Sequence, residues 1–80
     1  MFYVYVLKSQ KVKKYYKGLT GDLDKRLRQH YNGKSLTTKR YLPLELVFVQ
    51  ICANRLEAGK LEKYLKSGIG REIMGEIVVK

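Results

Sequence analysis

The chain opens on Phe2-Tyr3-Val4-Tyr5-Val6-Leu7, a run in which Phe2, Val4 and Val6 fall on one face of an extended strand and Tyr3, Tyr5 and Leu7 on the other. Its density in β-branched and aromatic side chains suits a buried pleated strand. The polar stretch 8–14 reads as a hairpin connection into a second strand at about residues 15–20. The period then changes from two to that of a helix. Gly18 and Gly21 punctuate the strand end, Thr20 or Asp22 offers an N-cap, and Asn32-Gly33 closes a helix predicted over 22–31. Leu23, Leu27 and Tyr31 form its expected core stripe, with Arg26 and His30 one turn apart on an adjacent face. Residues 34–42 form a basic, Thr-rich loop without periodicity, and Pro43 leads into a strand at about 44–51. Asn54-Arg55-Leu56-Glu57 reads as a capping box, Asn54 being the N-cap and Glu57 reaching back to its amide. It opens a helix to about Ser67, with Ala58, Leu61 and Leu65 as the apolar stripe, Glu62 beside them and Gly68 as the stop. Residues 69–80 hold Ile73, Met74 and Ile77 at helical spacing, alongside Gly75 and a strand-like Ile77-Val78-Val79; a short final helix is expected. The order β-β-α-β-α-α predicts an α+β domain, a small three-stranded antiparallel sheet flanked by helices.

Eighty residues are too few for two separate cores, so residues 1–80 are read as one domain. Charge then changes the picture: 17 Lys plus Arg against 7 Asp plus Glu leave a formal net charge of +10. Such a surface suits a polyanionic partner, and each Lys or Arg meeting a phosphate releases condensed counterions, which makes binding salt-dependent. Acidic lipid is the other polyanion that charge alone allows. Cys52 is the only cysteine, which excludes an internal disulfide and any multi-thiolate zinc site, and in the apolar run 46–52 it reads as a small buried hydrophobe. No basic leader precedes the first strand and no apolar run reaches membrane-spanning length, so a cytoplasmic protein without membrane insertion is expected.

Five residues now form an ordered set: Tyr5 in Tyr3-Val4-Tyr5, Tyr16 in Tyr16-Lys17-Gly18, then Arg26, His30 and, after a strand, Glu62. This set strongly resembles the GIY-YIG nuclease family, in which two strand tripeptides face one another, an Arg and often a His or Tyr project from the first helix, and a later helical Glu binds the metal. The likeness runs from Phe2 to about Arg71 and is nearest to small single-domain bacterial members, similar to the N-terminal domain of the excision-repair nuclease. Residues 3–9, 22–27 and 61–68 carry phrases typical of that subgroup. Two positions depart from the family pattern: Tyr3 stands for the first Gly and Lys17 for the middle hydrophobe of the second tripeptide, and neither change removes a catalytic side chain.

The resemblance implies catalytic roles for Tyr5, Tyr16, Arg26, His30 and Glu62. Phosphodiester hydrolysis needs an activated water, charge neutralisation on the phosphoryl oxygens and help for the leaving alkoxide. Glu62 would anchor one hard cation, Mg²⁺ or Mn²⁺, with water and the scissile phosphate filling the other positions. Arg26 would grip the phosphoryl oxygens with its planar fork, which lysine lacks. Tyr5 and Tyr16 would orient the water. One of them would serve as base only if metal and cations lowered a pKa that is ordinarily about 10, whereas His30 normally titrates near neutrality and could relay the proton. Lys17, Lys34, Lys39 and Arg40 are the candidate phosphate-positioning residues. Taken singly, each of these side chains has an ordinary reading: Tyr5 a core aromatic, Arg26 and His30 surface positions, Glu62 with Lys66 an i, i+4 pair, the loop lysines a solvated segment. Only their joint arrangement points to catalysis. The other tyrosines read as packing residues, with stacking on an unpaired base as the alternative.

The expected activity is thus a metal-dependent endonuclease on nucleic acid, DNA favoured over RNA, selective for a structure or end and serving repair or recombination. No helix-turn-helix, zinc finger or second domain supplies base readout, which leaves a protein partner, DNA shape or homo-oligomerisation as sources of specificity. The competing reading is a catalytically silent nucleic-acid-binding module of the same fold. An anionic-membrane or ribosome-associated protein would explain the charge but not the five residues.

Overall fold

In the computed structural model, which describes residues 1–67, the opening strand β1 (Phe2–Ser9) pairs antiparallel with β2 (Tyr15–Thr20) on one side and β3 (Leu44–Cys52) on the other. The central place explains its composition, since side chains on both faces of β1 are covered: Val4, Tyr5, Val6 and Leu7 are all buried. Val4 and Val6 join Cys52 and, from helix α2 (Arg55–Lys66), Ala58 and Leu65 in one apolar cluster, with Phe2, Tyr15, Leu19, Phe48 and Leu61 packed around it. Cys52 is a free, buried thiol, in keeping with its apolar neighbours. Tyr5 and Leu7 point the other way, where helix α1 (Leu23–Tyr31) brings His30 against Tyr5. A register shift between Val6 and Leu7 places Val47 as the extra residue of β3.

The described elements run β-β-α-β-α, an α+β architecture with the expected three-stranded antiparallel sheet. The expected final helix over 69–80 and the stop at Gly68 lie outside the described residues. β1 continues two residues beyond Leu7 because Lys8 and Ser9 still pair with Tyr15, Glu45 and Leu44. Ser9 then closes the hairpin: its buried hydroxyl accepts from the amides of Lys11 and Val12 and donates to the Tyr41 carbonyl at 2.8 Å. The 34–42 segment is not a plain loop, since residues Lys39–Tyr41 form a 3₁₀ turn started by the Thr38 and Lys39 amides on the Ser35 carbonyl. Among the described residues no helix is long and apolar enough to cross a membrane.

Asp22 caps α1 through Lys25 N, while Thr20 Oγ1 holds the Asp22 backbone. At the other end Gly33, at φ 72, turns the chain so that Gly33 N and Lys34 N reach the His30 and Gln29 carbonyls, a Schellman closure. The expected core stripe of α1 needs correction. Leu23 and Leu27 are half-buried, but the third position is His30, fully buried, and Tyr31 is 43% exposed. At 3.6 residues per turn, position i+7 returns to the face of Leu23, whereas i+8 lies roughly 80° further round. In α2 the cap also differs in detail: Asn54 accepts from Glu57 N at 2.9 Å, but Glu57 reaches the amide of Ala53 rather than that of Asn54.

Gly18 is the position on which the sheet and the buried tyrosine depend together. It pairs with Tyr5, and the Tyr5 ring runs directly over it: a Cβ there would collide with the Cζ and Oη of Tyr5 and come within 2.8 Å of Cε1. Gly18→Ala is expected to destabilise the fold by about 1–3 kcal/mol, as overpacking does. In denaturant titrations the loss should be smaller when Ala is introduced together with Tyr5→Ala than the two single losses add up to.

Candidate active site

Two strands, a helix and the turn that follows it converge on one imidazole. Tyr5 Oη lies 2.9 Å from His30 Nε2, and Thr38 Oγ1 lies 2.7 Å from His30 Nδ1. All three side chains are fully buried, and among the described residues every buried side-chain polar atom has a hydrogen-bond partner. Tyr16 completes the cluster, its ring centroid 5.1 Å from that of His30 and 6.3 Å from that of Tyr5. The alternation of β2 explains why Tyr16 and Gly18 share this face: one supplies the second phenol, the other the space over which Tyr5 lies.

Arg26, one turn before His30, donates from Nη1 to Gln29 Oε1 at 2.9 Å, which fixes the guanidinium from its own helix. Burial pulls its pKa down, but the phenols of Tyr5 and then Tyr16 outweigh that, and the net shift is upward. The same neighbourhood acts on the others. Burial, reinforced by Tyr16, pushes Tyr5 up to about 12, although Arg26 works in the opposite direction. Burial, with the Arg26 charge second, lowers His30 to about 4. Two chemical expectations change as a result. His30 does not titrate near neutrality but is neutral at pH 7, and Tyr5 is harder, not easier, to ionise in the protein's own field.

A neutral imidazole offers one N–H and one lone pair, so the two hydrogen bonds run in a single direction. Either Tyr5 donates to Nε2 and Nδ1–H donates to Thr38, or Thr38 donates to Nδ1 and Nε2–H donates to Tyr5. In both arrangements His30 is neutral and the phenol keeps its proton. Thr38 is the residue that sequence reasoning misses; it stands in a stretch without periodicity, and only a buried, doubly engaged histidine calls for it.

Glu62 reaches this group from the opposite layer. Its carboxylate lies 3.5 Å from Lys66 Nζ, the ordinary i, i+4 pair, with its side chain still 24% exposed. Its charge contributes to raising the Tyr5 phenol, so it is in electrostatic reach of the cluster while hydrogen-bonded to none of it. Among the described residues no three His, Cys, Asp or Glu side chains gather into a metal cage. One accessible carboxylate fits a hydrated Mg²⁺-like ion that takes most of its ligands from water and phosphate, and does not fit a site enclosed by protein.

Of the expected phosphate-positioning residues, Lys34, Lys39 and Arg40 lie on the segment after α1, all three exposed, and the Arg40 guanidinium lies 5.6 Å from the Tyr41 ring centroid. Lys17 is half-buried on the sheet face of Tyr15, with its ammonium 5.8 Å from that ring centroid, and so faces away from Tyr16.

Two facing strand tyrosines, an Arg and a His one turn apart on the intervening helix, and a Glu on a later helix define the class. The chain matches the GIY-YIG catalytic domain over residues 1–72 and belongs to that family. It is 39% identical over 67 residues to the UPF0213 protein CPE1444 of Clostridium perfringens (strain 13 / Type A), covering 82% of this chain and 71% of that protein. It is 38% identical over 65 residues to the UPF0213 protein YazA of Bacillus subtilis (strain 168), covering 80% of this chain and 65% of that protein, somewhat less than two thirds. The solution NMR structure of the UPF0213 protein BH0048 from Bacillus halodurans has the same fold, with a TM-score of 0.58 and 30% identity over 95% of this chain and 84% of that one. Membership gives the chain a nuclease-type catalytic domain and nucleic acid as its substrate class.

Because the folded pKa of His30 is below its unfolded value, its contribution to stability is fully present above about pH 6.5 and is lost as pH falls through about 4. Each unit of that shift corresponds to about 1.4 kcal/mol. Acid titration followed by circular dichroism should show this loss in the wild type and a flatter profile in His30→Gln. Thr38→Val leaves Nδ1 without its partner and should cost about 1–3 kcal/mol, with Thr38→Ser restoring most of it.

Proposed function

We propose that the domain is a divalent-metal-dependent endonuclease that cuts DNA, acting on a structure or end in repair or recombination. The observation that carries this reading is the convergence of Tyr5, Tyr16, Arg26 and His30 around one point within electrostatic reach of Glu62. In this reading Glu62 holds one Mg²⁺ or Mn²⁺, which when bound supplies Lewis-acid stabilisation of the phosphoryl oxygens and a more acidic water. Arg26, pre-set by Gln29 and the two phenols, receives the charge that builds on the phosphoryl group. Tyr16 lines the attacking side. Tyr5, hydrogen-bonded to His30 Nε2, which Thr38 keeps oriented, positions the attacking water through its oxygen, and the proton of that water leaves to bulk solvent. Positioning of this kind suits a phenol with a pKa of about 12, which keeps its proton and can accept a hydrogen bond from the water while donating one to the imidazole. The net charge of +10 draws the polyanion in, with Lys34, Lys39 and Arg40 on the adjoining segment holding its backbone.

The test is product formation from labelled plasmid, branched DNA and single-stranded RNA with Mg²⁺, Mn²⁺ or chelator. Cleavage is expected on DNA, abolished by chelator and by Glu62→Ala, and lowered about 10²–10³-fold by Arg26→Ala, the usual loss for one transition-state donor. Salt-dependent binding without cleavage of any substrate would instead establish the silent binding module.

A further inference from the structure

Beside the catalytic cluster, between the start of β2 and the segment that leads from α1 to β3, lies a cavity of about 280 Å³ that none of the roles above uses. Tyr15, Tyr16, Tyr41 and Leu44 form its largely apolar walls, and Thr37 and Thr38 close one side. Lys14 and Arg40, both exposed, stand at its mouth. Two of its walls belong to the cluster already described: the Tyr16 ring lies tilted against His30, 5.1 Å between centroids, and Thr38 holds His30 Nδ1. Whatever fills the cavity therefore sits one residue away from the groups that face the phosphate. Leu36, two residues before Thr38 and next to Thr37, is 83% exposed, an apolar side chain presented among basic neighbours.

We propose that this cavity receives a single unpaired nucleobase of the strand being cut, the one adjoining the scissile phosphate. The inference rests on the nuclease reading and adds to it the chemical form of the substrate. Aromatic and aliphatic walls suit the flat faces of a base, and stacking on tyrosine is tolerant of base identity. Cations at the mouth match the phosphates on either side of an extruded nucleotide, and the Arg40 guanidinium already lies over Tyr41. The volume is at the low end for small-molecule sites, about 300 Å³, which admits one planar heterocycle and not a base pair. The preferred substrate is consequently a single strand, gap, flap or mismatch, where a base leaves its stack at little cost.

The test uses the full chain carrying Glu62→Ala, so that binding is read without turnover, and oligonucleotides with 2-aminopurine or an abasic nucleotide walked along a single-stranded gap. Quenching of 2-aminopurine at one position, and about a ten-fold loss of affinity for an abasic nucleotide at that same position, are expected from the usual worth of one stacked base. Tyr41→Ala and Leu44→Ala should remove both effects, while Tyr41→Phe keeps them. The abasic substitution leaves the protein unchanged, so an unfolded variant cannot mimic the result. Binding that is indifferent to every abasic position, or cleavage equally fast on intact duplex, would overturn the proposal with the nuclease reading intact. Position-specific quenching in a protein that cuts nothing would overturn the nuclease reading and leave the base pocket standing.

Discussion

Tyr5 lies on the one strand that has no solvent face, and its hydroxyl is carried into the interior by a ring that crosses Gly18. A buried phenol without a partner would cost as much as the hydrogen bond it lacks, so the interior has to supply one. His30 does so from the core face of α1, and a buried imidazole in turn needs a partner for its second nitrogen, which Thr38 provides. This chain joins the sheet, α1 and the following segment, while the apolar cluster on the opposite face joins the sheet to α2. The constraint that completes the core is thus the same one that assembles the candidate catalytic group.

This arrangement separates two kinds of titratable residue. Burial keeps Tyr5 protonated and His30 neutral across the physiological range, so neither is a free charge that water could discharge. Arg26 stays charged because the phenols beside it outweigh its partial burial, and Glu62 stays accessible from the opposite layer. Fixed dipoles around one permanent cation, within electrostatic reach of a carboxylate, are suited to stabilising negative charge on a phosphoryl group. The adjoining aromatic cavity is continuous with this arrangement, since Tyr16 and Thr38 line both.

Much of this is legible in the residues themselves. The unbroken run of apolar and aromatic residues marks β1 as buried, the cap residues at Thr20 or Asp22 and at Asn54 and the Asn32-Gly33 stop bound the helices, and the spacing of Tyr5, Tyr16, Arg26, His30 and Glu62 identifies the family. These are local rules, in which backbone geometry decides the outcome within a turn or a strand pair. Tyr31 is mistaken for the third core position because an aromatic at i+8 looks more hydrophobic than a histidine at i+7, and the helix follows angle rather than polarity.

Only the tertiary structure decided how the marked residues act. That His30 is buried and neutral follows from the desolvation and the Arg26 charge around it, and no pattern along the chain carries either. That Thr38 belongs with His30, that Glu57 reaches Ala53, and that Tyr15, Tyr16, Tyr41 and Leu44 enclose a cavity depend on how the folded segments meet. The sequence by itself determined the elements, the family and the candidate site residues, because these rest on short-range periodicity and spacing. Protonation states, hydrogen-bond partners and the shape beside the site were decided by packing, because they depend on which distant groups exclude water from one another.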